Sequence, residues 1–325
     1  MSFGNSNVTD SVTFFIIEGI QANKLLMFGI FFTVYVLILC GNSMIIYLVR
    51  TDPKLKSPMY FFLHNLSFSD MVYTSVTIPN MLSGLLKEEP TISRTGCMLQ
   101  MYFFLSMAVT GRSILTVMAY DRYVAVCNPL RYNCIMTKKF CILLVVAAWA
   151  FGFVIVLPAA SLAVQLPFCG PNRVMHVFCD HSSVVRLACA NTKVNSINSL
   201  TAALFALIGT FSLILTSYVK IGVAVKDMSR AERMKAFATC VSHMIVVCIS
   251  YVSAACVYIS YRVATFSPDA RMIVAVLYSA LTPLLNPIIY SLRNKELWEA
   301  LKRAVCKRGR MLTSHTKTVP SVSQQ

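Results

Sequence analysis

An acidic residue followed by a basic one lies near the end of a long apolar stretch, where charge is costly. Asp121 and Arg122 are followed directly by Tyr123, within the apolar run 97–127. Charged side chains at membrane depth are rare, pair with one another and tend to be functional. One interpretation is an ion-pair switch, in which the aspartate holds the arginine until the aspartate is protonated or the two side chains separate. The alternative is a helix-end cation that extends toward lipid headgroups.

Two other polar groups interrupt apolar stretches. Asp70 lies at mid-depth of its stretch and needs a cation, a proton or polar neighbours. Asn286 and Pro287 precede Tyr290 by four and three residues. Because proline removes a helix hydrogen bond, this turn can rearrange around a polar partner. The alternative for the proline is a static kink.

The elements that position these residues are membrane spans. The 325-residue chain is 57% hydrophobic and 13% charged, with a mean hydropathy of +0.66, which excludes a soluble globular domain and a disordered chain. Seven apolar segments reach the length of about 20 residues that crosses a bilayer, near 25–49, 58–86, 97–127, 139–165, 196–225, 235–261 and 270–291. We number them spans 1 to 7 and predict an all-α membrane protein, a seven-transmembrane helix bundle.

The net charge of +16 is distributed unevenly about these spans. Lys and Arg concentrate in one set of loops and in the C-terminal tail, which the positive-inside rule makes cytoplasmic. The N-terminus is then extracellular, and Asn7 in the sequence Asn-Val-Thr is a glycosylation site within enzyme reach. Because the cations flank membrane spans, we expect no nucleic-acid partner.

The segment after span 7 has the pattern of an amphipathic helix. Leu297, Trp298 and Leu301 recur at helical spacing among basic residues, as in helices that lie on a membrane surface. Cys306 is either a palmitoylation site or an unmodified thiol. The predicted organisation is an extracellular segment 1–24, a seven-helix domain 25–293, a membrane-surface helix 294–310 and a disordered cytoplasmic tail 311–325.

Four of the twelve cysteines fall on the predicted extracellular side: Cys97, Cys169, Cys179 and Cys189. An even number in an oxidising compartment favours disulfides, and spacing alone does not choose among the three pairings. His176, Cys179 and His181 have side chains that bind zinc or copper. We predict no metal there, because a disulfide consumes Cys179, and we predict no other cofactor.

Five motifs together resemble the odorant-receptor family of rhodopsin-like G-protein-coupled receptors, from about residue 20 to 305. They are Gly41-Asn42 in span 1, PMYFFL from Pro58, MAYDRYVAVCNPLRY from Met118, KAFATCVSH from Lys235 and PLLNPIIYSLRN from Pro283. The second span also carries LSFSD, ending at Asp70. The strings from Met118 and Lys235 distinguish odorant receptors from other rhodopsin-like receptors.

The resemblance implies roles for several residues. It pairs Cys97 with Cys179 and Cys169 with Cys189. It makes Arg122 the switch, which on release meets Tyr218 and Tyr290 and opens a groove for a G-protein helix. It also places Asn42 and Asn286 beside Asp70 as an internal polar network.

The chain departs from the family pattern in span 3. Odorant receptors usually carry a glutamate ten residues before the aspartate of the Asp-Arg-Tyr motif, whereas this sequence has Gly111 there, followed by Arg112. This weakens the case for a two-carboxylate sodium site. We expect Arg112 to replace the ion by pairing with Asp70 directly or through water. The alternative is that Arg112 faces a different gap between helices.

The ligand site is expected between the extracellular halves of spans 3, 5, 6 and 7. Residues one to three turns below Cys97 lie at that depth, and one stripe of span 6 has spacings of 4, 3 and 4. The candidates are Phe104, Leu105, Ala108, Tyr251, Ala255, Tyr258, Arg262 and Ser279. The resemblance makes Tyr251 the deep aromatic sensor of ligand. The alternative for these aromatics is packing, and Ser279 either binds ligand or helps the helices to pack.

One interpretation of Arg262 is that the ligand carries an anionic group. A cation at the mouth of an apolar cavity suits a carboxylate or sulfate through paired hydrogen bonds. The alternative is a solvated loop cation paired with Asp180 or Asp269.

The resemblance therefore implies an odorant receptor, not an enzyme, in the plasma membrane of olfactory sensory neurons. A small, mainly apolar molecule, with an anionic group as one option, would activate a stimulatory, olfactory-type G protein and raise cyclic AMP. An accessory trafficking protein is a further candidate partner. One alternative is a metabolite-sensing receptor of this type outside the nose. Another is a secondary transporter, although we find no inverted repeat or paired broken helices; an intramembrane enzyme lacks a catalytic residue set.

Overall fold

Long helices form a bundle in the computed structural model, which describes residues 12–19, 23–262 and 268–316. In chain order the helices are α1 (Lys24–Thr51), α2 (Pro58–Leu86), α3 (Arg94–Cys127), α4 (Tyr132–Ile135), α5 (Lys138–Val164), α6 (His181–Val185), α7 (Lys193–Ala224), α8 (Arg230–Arg262), α9 (Pro268–Arg293) and α10 (Lys295–Thr316). The seven longest helices of the bundle, α1, α2, α3, α5, α7, α8 and α9, correspond to spans 1 to 7. The predicted seven-helix fold is confirmed, with helix ends within a few residues of the predicted ones.

Local sequence explains where several helices begin. The side chain of Asn23 accepts a hydrogen bond from the backbone N–H of Leu26 at 3.2 Å, which caps α1. Ser93 caps α3 and Thr137 caps α5 in the same way. The second helix opens with Pro58, whose fixed φ and missing N–H suit a first helical position. These caps satisfy backbone donors that a helix leaves unpaired at its start.

The polarity of α2 reflects its position. Among the described residues, six helices are long and apolar enough to cross a membrane, namely α1, α3, α5, α7, α8 and α9. The remaining long helix, α2, has 29 residues but is more polar, and it packs against α1 and α3. Its polar side chains point inward, since Ser67, Ser69, Asp70, Thr74 and Thr77 are all buried. Polar groups on a membrane helix are tolerated on such a protein-facing side.

The third helix is the centre of the bundle. It packs against α2, α5, α7 and α8, and Met101, Ile114 and Met118 on it are fully buried. Outer helices instead expose large apolar side chains, such as Leu37 on α1 and Leu213 on α7. Such outward apolar faces match a lipid environment, where every backbone polar group is satisfied within its helix.

A small three-stranded sheet, which the sequence analysis did not predict, covers the end of the bundle that carries Cys97. Strand β1 (Phe14–Ile17) pairs antiparallel with β2 (Thr91–Ser93) and parallel with β3 (Arg173–Val174). Phe15 is fully buried and meets Phe168 edge-on, with ring centroids 5.2 Å apart. The burial of alternate apolar side chains therefore holds β1 against the loops.

Two disulfides fix the same end of the bundle. Cys97 is bonded to Cys179 and Cys169 to Cys189, which are the pairings that the family resemblance implied. The other eight cysteines are free thiols. Arg94 adds a further tie, because its guanidinium donates to the carbonyl oxygens of Val164 and Leu166 at 2.9 and 3.0 Å. The loop before α6 is thus held to both α3 and α5.

The last helix turns away from the bundle at Asn294, whose side chain accepts from the N–H groups of Glu296 and Leu297. Leu297 is fully buried against the bundle, whereas Trp298 is partly exposed. Arg303 donates to Asp52 at 2.7 Å and lowers the pKa of that carboxyl. The helix extends past the predicted end at residue 310 to Thr316, because no proline interrupts the chain between Pro287 and Pro320.

Candidate functional site

The predicted switch pair is present at the end of α3. Asp121 is completely buried and forms an ion pair with Arg122, whose Nε lies 3.0 Å from the Oδ2 of Asp121. The hydroxyl of Tyr132 on α4 donates to Oδ1 of the same carboxylate at 2.7 Å. Burial raises the pKa of Tyr132, which keeps this hydroxyl protonated as a donor. Sequence analysis missed Tyr132, although it closes the motif from Met118. Tyr123 lies beside the pair and packs against the cluster around Cys240.

A histidine links three helices next to this pair. His243 on α8 is fully buried, and its Nε2 lies 2.9 Å from the carbonyl oxygen of Leu115 on α3. A carbonyl only accepts, so Nε2 carries the proton and the neutral ring accepts at Nδ1. The hydroxyl of Tyr218 on α7 donates to that Nδ1 at 2.6 Å. Tyr218, the predicted later partner of Arg122, is therefore bound to His243 in this conformation.

The Asn286–Pro287–Tyr290 motif contributes two different contacts. The side-chain nitrogen of Asn286 donates to Oδ2 of Asp70 at 2.7 Å, as the resemblance implied. Tyr290 is 2% exposed, and its hydroxyl has no hydrogen-bond partner among the described residues. A buried hydroxyl without a partner is costly, so Tyr290 gains a hydrogen bond in any state that brings a partner to it.

Asn42 satisfies the backbone group that Pro287 leaves open. Because Pro287 has no N–H, the carbonyl of Pro283 four residues earlier lacks its helical donor. The side-chain nitrogen of Asn42 donates to that carbonyl at 3.0 Å and to Ile38 at 2.9 Å. Next to it, a Cβ on Gly41 would lie 3.0 Å from the Cβ of Pro287. Asn42, expected beside Asp70, thus donates a hydrogen bond to the backbone of α9 one turn before Pro287.

An aromatic cluster lies in the predicted ligand-binding half of α3. The ring of Phe104 stacks on Tyr73 at 5.1 Å and meets Phe178 at 4.7 Å. Gln100 anchors the loop that carries Phe178, since its Oε1 accepts from the N–H of Cys179 at 2.9 Å. Leu105 and Ala108 are partly buried against the same cluster.

The remaining predicted ligand residues are distributed over α8 and α9. Tyr251 lies 2.7 Å from the Thr210 hydroxyl and packs in the cluster that also contains Leu115 and Tyr290. Ala255 is exposed. Ser279 is buried and donates to the Val276 carbonyl of its own helix. The side chains of Tyr258, Arg262 and Asp269, and all of Asn7, lie outside the described residues.

The loop histidines show no metal site. No group of three or more His, Cys, Asp or Glu side chains suited to a metal occurs within 12–19, 23–262 and 268–316. Cys179 is in a disulfide, and Asp180 caps α6 by accepting from the N–H of Ser182. Burial lowers the pKa of His176 and of His181.

Two cavities have chemically distinct linings. One of about 130 Å³ lies beneath β1, with Glu18, Glu88, Glu89 and Arg173 around it, away from the predicted ligand residues. The other, of about 40 Å³, lies between α2, α3, α8 and α9 and is lined by Asp70, Arg112, Ser250, Thr282 and Asn286, among others.

The olfactory receptor family model matches residues 31–308. Olfactory receptor 10C1 from Homo sapiens is 44% identical over 283 residues, 87% of this chain and 90% of that receptor. Human olfactory receptor 6N1 is 44% identical over 299 residues, which is 91% of this chain and 96% of that receptor. Human olfactory receptor 2A12 is 41% identical over 304 residues, which is 92% of this chain and 98% of that receptor. The chain belongs to the olfactory receptor family. It is therefore a multi-pass membrane receptor of the G-protein-coupled class, which is not enzymatic.

In this olfactory receptor, the residues beside Asp70 do not fit a two-carboxylate sodium site. Gly111 supplies no second carboxylate, and Arg112 lines the same cavity as Asp70. Among the described residues, Asp70 forms no direct ion pair and accepts its hydrogen bond from Asn286. Of the two forms of the Asp70–Arg112 pair expected from the sequence, the water-bridged one stays a prediction.

Proposed function

We propose that this olfactory receptor binds a small, mainly apolar odorant and activates a stimulatory, olfactory-type G protein that raises cyclic AMP. Family membership over residues 31–308 carries the receptor function. The receptor would lie in the plasma membrane of olfactory sensory neurons, with the disulfide-bearing end outside and α10 on the inner leaflet. Asn7 would carry the glycan on the outer side.

The odorant pocket is assigned to the outer halves of α3, α7, α8 and α9. Its apolar character is supported by the ring cluster of Phe104 and Phe178 and by the neighbouring Leu105 and Ala108. Gln100 and the Cys97–Cys179 disulfide hold the covering loop onto α3. These contacts fix one wall of the proposed pocket in place.

Tyr251 is the proposed connection between pocket and switch. Its ring packs against Phe211 at 5.2 Å, and it contacts the same hydrophobic cluster as Leu115 and Tyr290. The Leu115 carbonyl binds His243, which in turn binds Tyr218. An odorant that displaces Tyr251 would therefore disturb a packed chain of contacts that ends at the Arg122 region.

The buried Asp121–Arg122–Tyr132 arrangement is assigned to the resting state. In the active state Arg122 would leave Asp121, Tyr218 and Tyr290 would turn toward it, and α8 would swing outward. Tyr290 supports this step, because its buried hydroxyl has no partner among the described residues of the resting conformation. The opened groove would then bind a helix of the G protein.

Arg262 is proposed to bind a carboxylate or sulfate of the odorant, as a cation at the pocket mouth. The alternative partner Asp180 already caps α6 through its Oδ2. A guanidinium can donate paired hydrogen bonds to a carboxylate or a sulfate.

The test is cyclic AMP production in cells that express the receptor, with matched carboxylic acids, alcohols and esters. We expect responses to acids that Arg262→Ala abolishes and Arg186→Ala, an exposed cation on the same face, retains. An unchanged Arg262→Ala response at equal surface expression would refute the anion site and keep the receptor. Nucleotide exchange on a purified stimulatory α subunit, measured with the responding odorant, tests the coupling partner directly.

A further inference from the structure

The lining of the cavity of about 40 Å³ inside the bundle includes one acidic residue, Asp70, and one basic residue, Arg112. The third helix contributes one face to it, formed by Met107, Ala108, Gly111, Arg112 and Leu115. Arg112 therefore lies on the cavity side of α3, the same side as Gly111. Opposite it are Asp70 on α2 and Asn286 on α9, joined by their 2.7 Å hydrogen bond.

The cavity is large enough for a few water molecules, since one water needs about 10–15 Å³ on this measure. Its polar lining of Ser250, Thr282 and Asn286 offers such waters hydrogen-bond partners. The hydroxyl of Thr282 is buried with no partner among the described residues. These groups can connect Arg112 to Asp70 through water even though the two side chains form no direct ion pair here.

We propose that Arg112 is a tethered cation that replaces a bound sodium ion, so that this receptor is insensitive to sodium at Asp70. The formal charges of the two side chains sum to zero, whereas two ionised carboxylates in such a cavity would leave a net negative charge that a metal cation or a proton must balance. A hard cation prefers several oxygen ligands, and a guanidinium in the same cavity repels it. Conformational changes around Asp70 would then depend on Arg112 and not on the ion gradient.

Two substitutions would convert the cavity beside Asp70 into a two-carboxylate site. A Cβ on Gly111 would lie 3.9 Å from Ser69 Oγ and 4.0 Å from Leu66 Cδ1, which is ordinary contact distance. A Cβ at this position therefore fits against α2 without a clash. Gly111→Glu with Arg112→Ser would supply a second carboxylate and remove the cation, while Gly111→Gln with Arg112→Ser matches it in shape and lacks the charge.

The first experiment measures thermal unfolding of the purified full chain by the fluorescence of its two tryptophans, which avoids thiol-reactive dyes. Sodium chloride is compared with N-methylglucamine chloride at equal concentration, up to about 150 mM. We expect the wild-type Tm to differ by less than about 1 °C between the salts, and that of Gly111→Glu/Arg112→Ser to rise with sodium by more than about 2 °C. The Gly111→Gln/Arg112→Ser control should not respond.

The second experiment tests whether the two charges are coupled. Arg112→Met alone leaves Asp70 without its balancing charge and should lower the Tm strongly. Asp70→Asn with Arg112→Met removes both charges and should recover part of that loss, by more than about 2 °C. Additive losses would overturn the coupling between the two side chains.

A wild-type Tm that rises with sodium, and loses this rise in Asp70→Asn, would overturn the proposal even if the converted variants do not fold. Both measurements record unfolding without odorant or G protein. Failure of the proposed signalling function would therefore not be mistaken for failure of this inference.

Discussion

Tyr132 donates a hydrogen bond of 2.7 Å to Oδ1 of Asp121, while Arg122 donates to Oδ2 of the same carboxylate. The carboxylate is thus held from the loop helix α4 as well as from α3. Tyr132 satisfies an oxygen of a completely buried acid, which would otherwise be costly. Loss of the Tyr132 hydrogen bond would therefore destabilise the resting state even though Arg122 remains paired with Asp121.

We predict that Tyr132→Phe raises ligand-independent signalling. A hydrogen bond to a charged group contributes about 1.5–3 kcal/mol. If it is made only in the resting state, its removal shifts the resting–active equilibrium by about tenfold or more. Basal cyclic AMP, normalised to surface expression, should rise accordingly. Tyr47→Phe on the exposed face of α1 is the matched control; equal basal activity in the two variants would contradict the prediction.

A second prediction concerns the contact of α1 with Pro287 of α9. Gly41→Ala places a Cβ 3.0 Å from the Cβ of Pro287, so the helices must separate slightly, at a cost of about 1–3 kcal/mol. The Tm of the purified receptor should fall by about 2 °C or more. Gly29→Ala, in the same helix, has nothing within 4 Å of the new Cβ and should not lower the Tm. Both changes gain helix propensity, so the difference isolates the contact with Pro287.

The sequence predicts the helices well because each membrane span must satisfy its own backbone hydrogen bonds. The span limits, the Asp121–Arg122 pair and the Asn286–Asp70 contact all follow from apolar length and motif resemblance. The sequence also shows that the Pro283 carbonyl lacks its helical hydrogen-bond donor, because Pro287 has no N–H. It does not show that Asn42 supplies the replacement donor, since Asn42 lies 241 residues away in the chain.

Other parts of the site depend on packing that spacing does not encode. The run Phe14–Ile17 consists of aromatic and β-branched residues, which is a strand signal, but its partners β2 and β3 lie in distant loops. His243 is present in the motif that opens span 6, yet its bond to the Leu115 carbonyl requires the packing of α3 against α8. The orientation of Arg112 toward the Asp70 cavity likewise depends on the rotation of α3 within the bundle.

The third prediction is that acid destabilises the loop before α7 through His181. Burial lowers the pKa of His181 from its usual value of 6.5, with Asp180 opposing. The unfolded chain therefore binds the proton first, so the stability from the neutral ring is present above about pH 6.5 and is lost as pH falls toward the lowered pKa. The Tm should decline over this range, and His181→Gln should decline less. His315→Gln removes a histidine elsewhere and should follow the wild type; equal slopes for all three proteins would reject the assignment.

The last prediction concerns the hydroxyl of Tyr251. Thr210 donates its own proton to the Ala206 carbonyl at 2.6 Å, so Tyr251 is the donor in their 2.7 Å contact. Tyr251→Phe keeps the ring and its packing against Phe211 but removes this bond between α8 and α7. Because Thr210 stays satisfied by Ala206, the cost to stability should be only about 1 kcal/mol.

If Tyr251 transmits odorant binding, the loss of this bond should change signalling more than stability. We expect Tyr251→Phe and Thr210→Val to shift the odorant concentration for half-maximal cyclic AMP in the same direction, with surface expression close to wild type. The double variant should shift it no further than either single variant, because both remove one bond and coupled residues are non-additive. Independent, additive shifts would mean that the two hydroxyls act separately and that their contact plays no part in transmission.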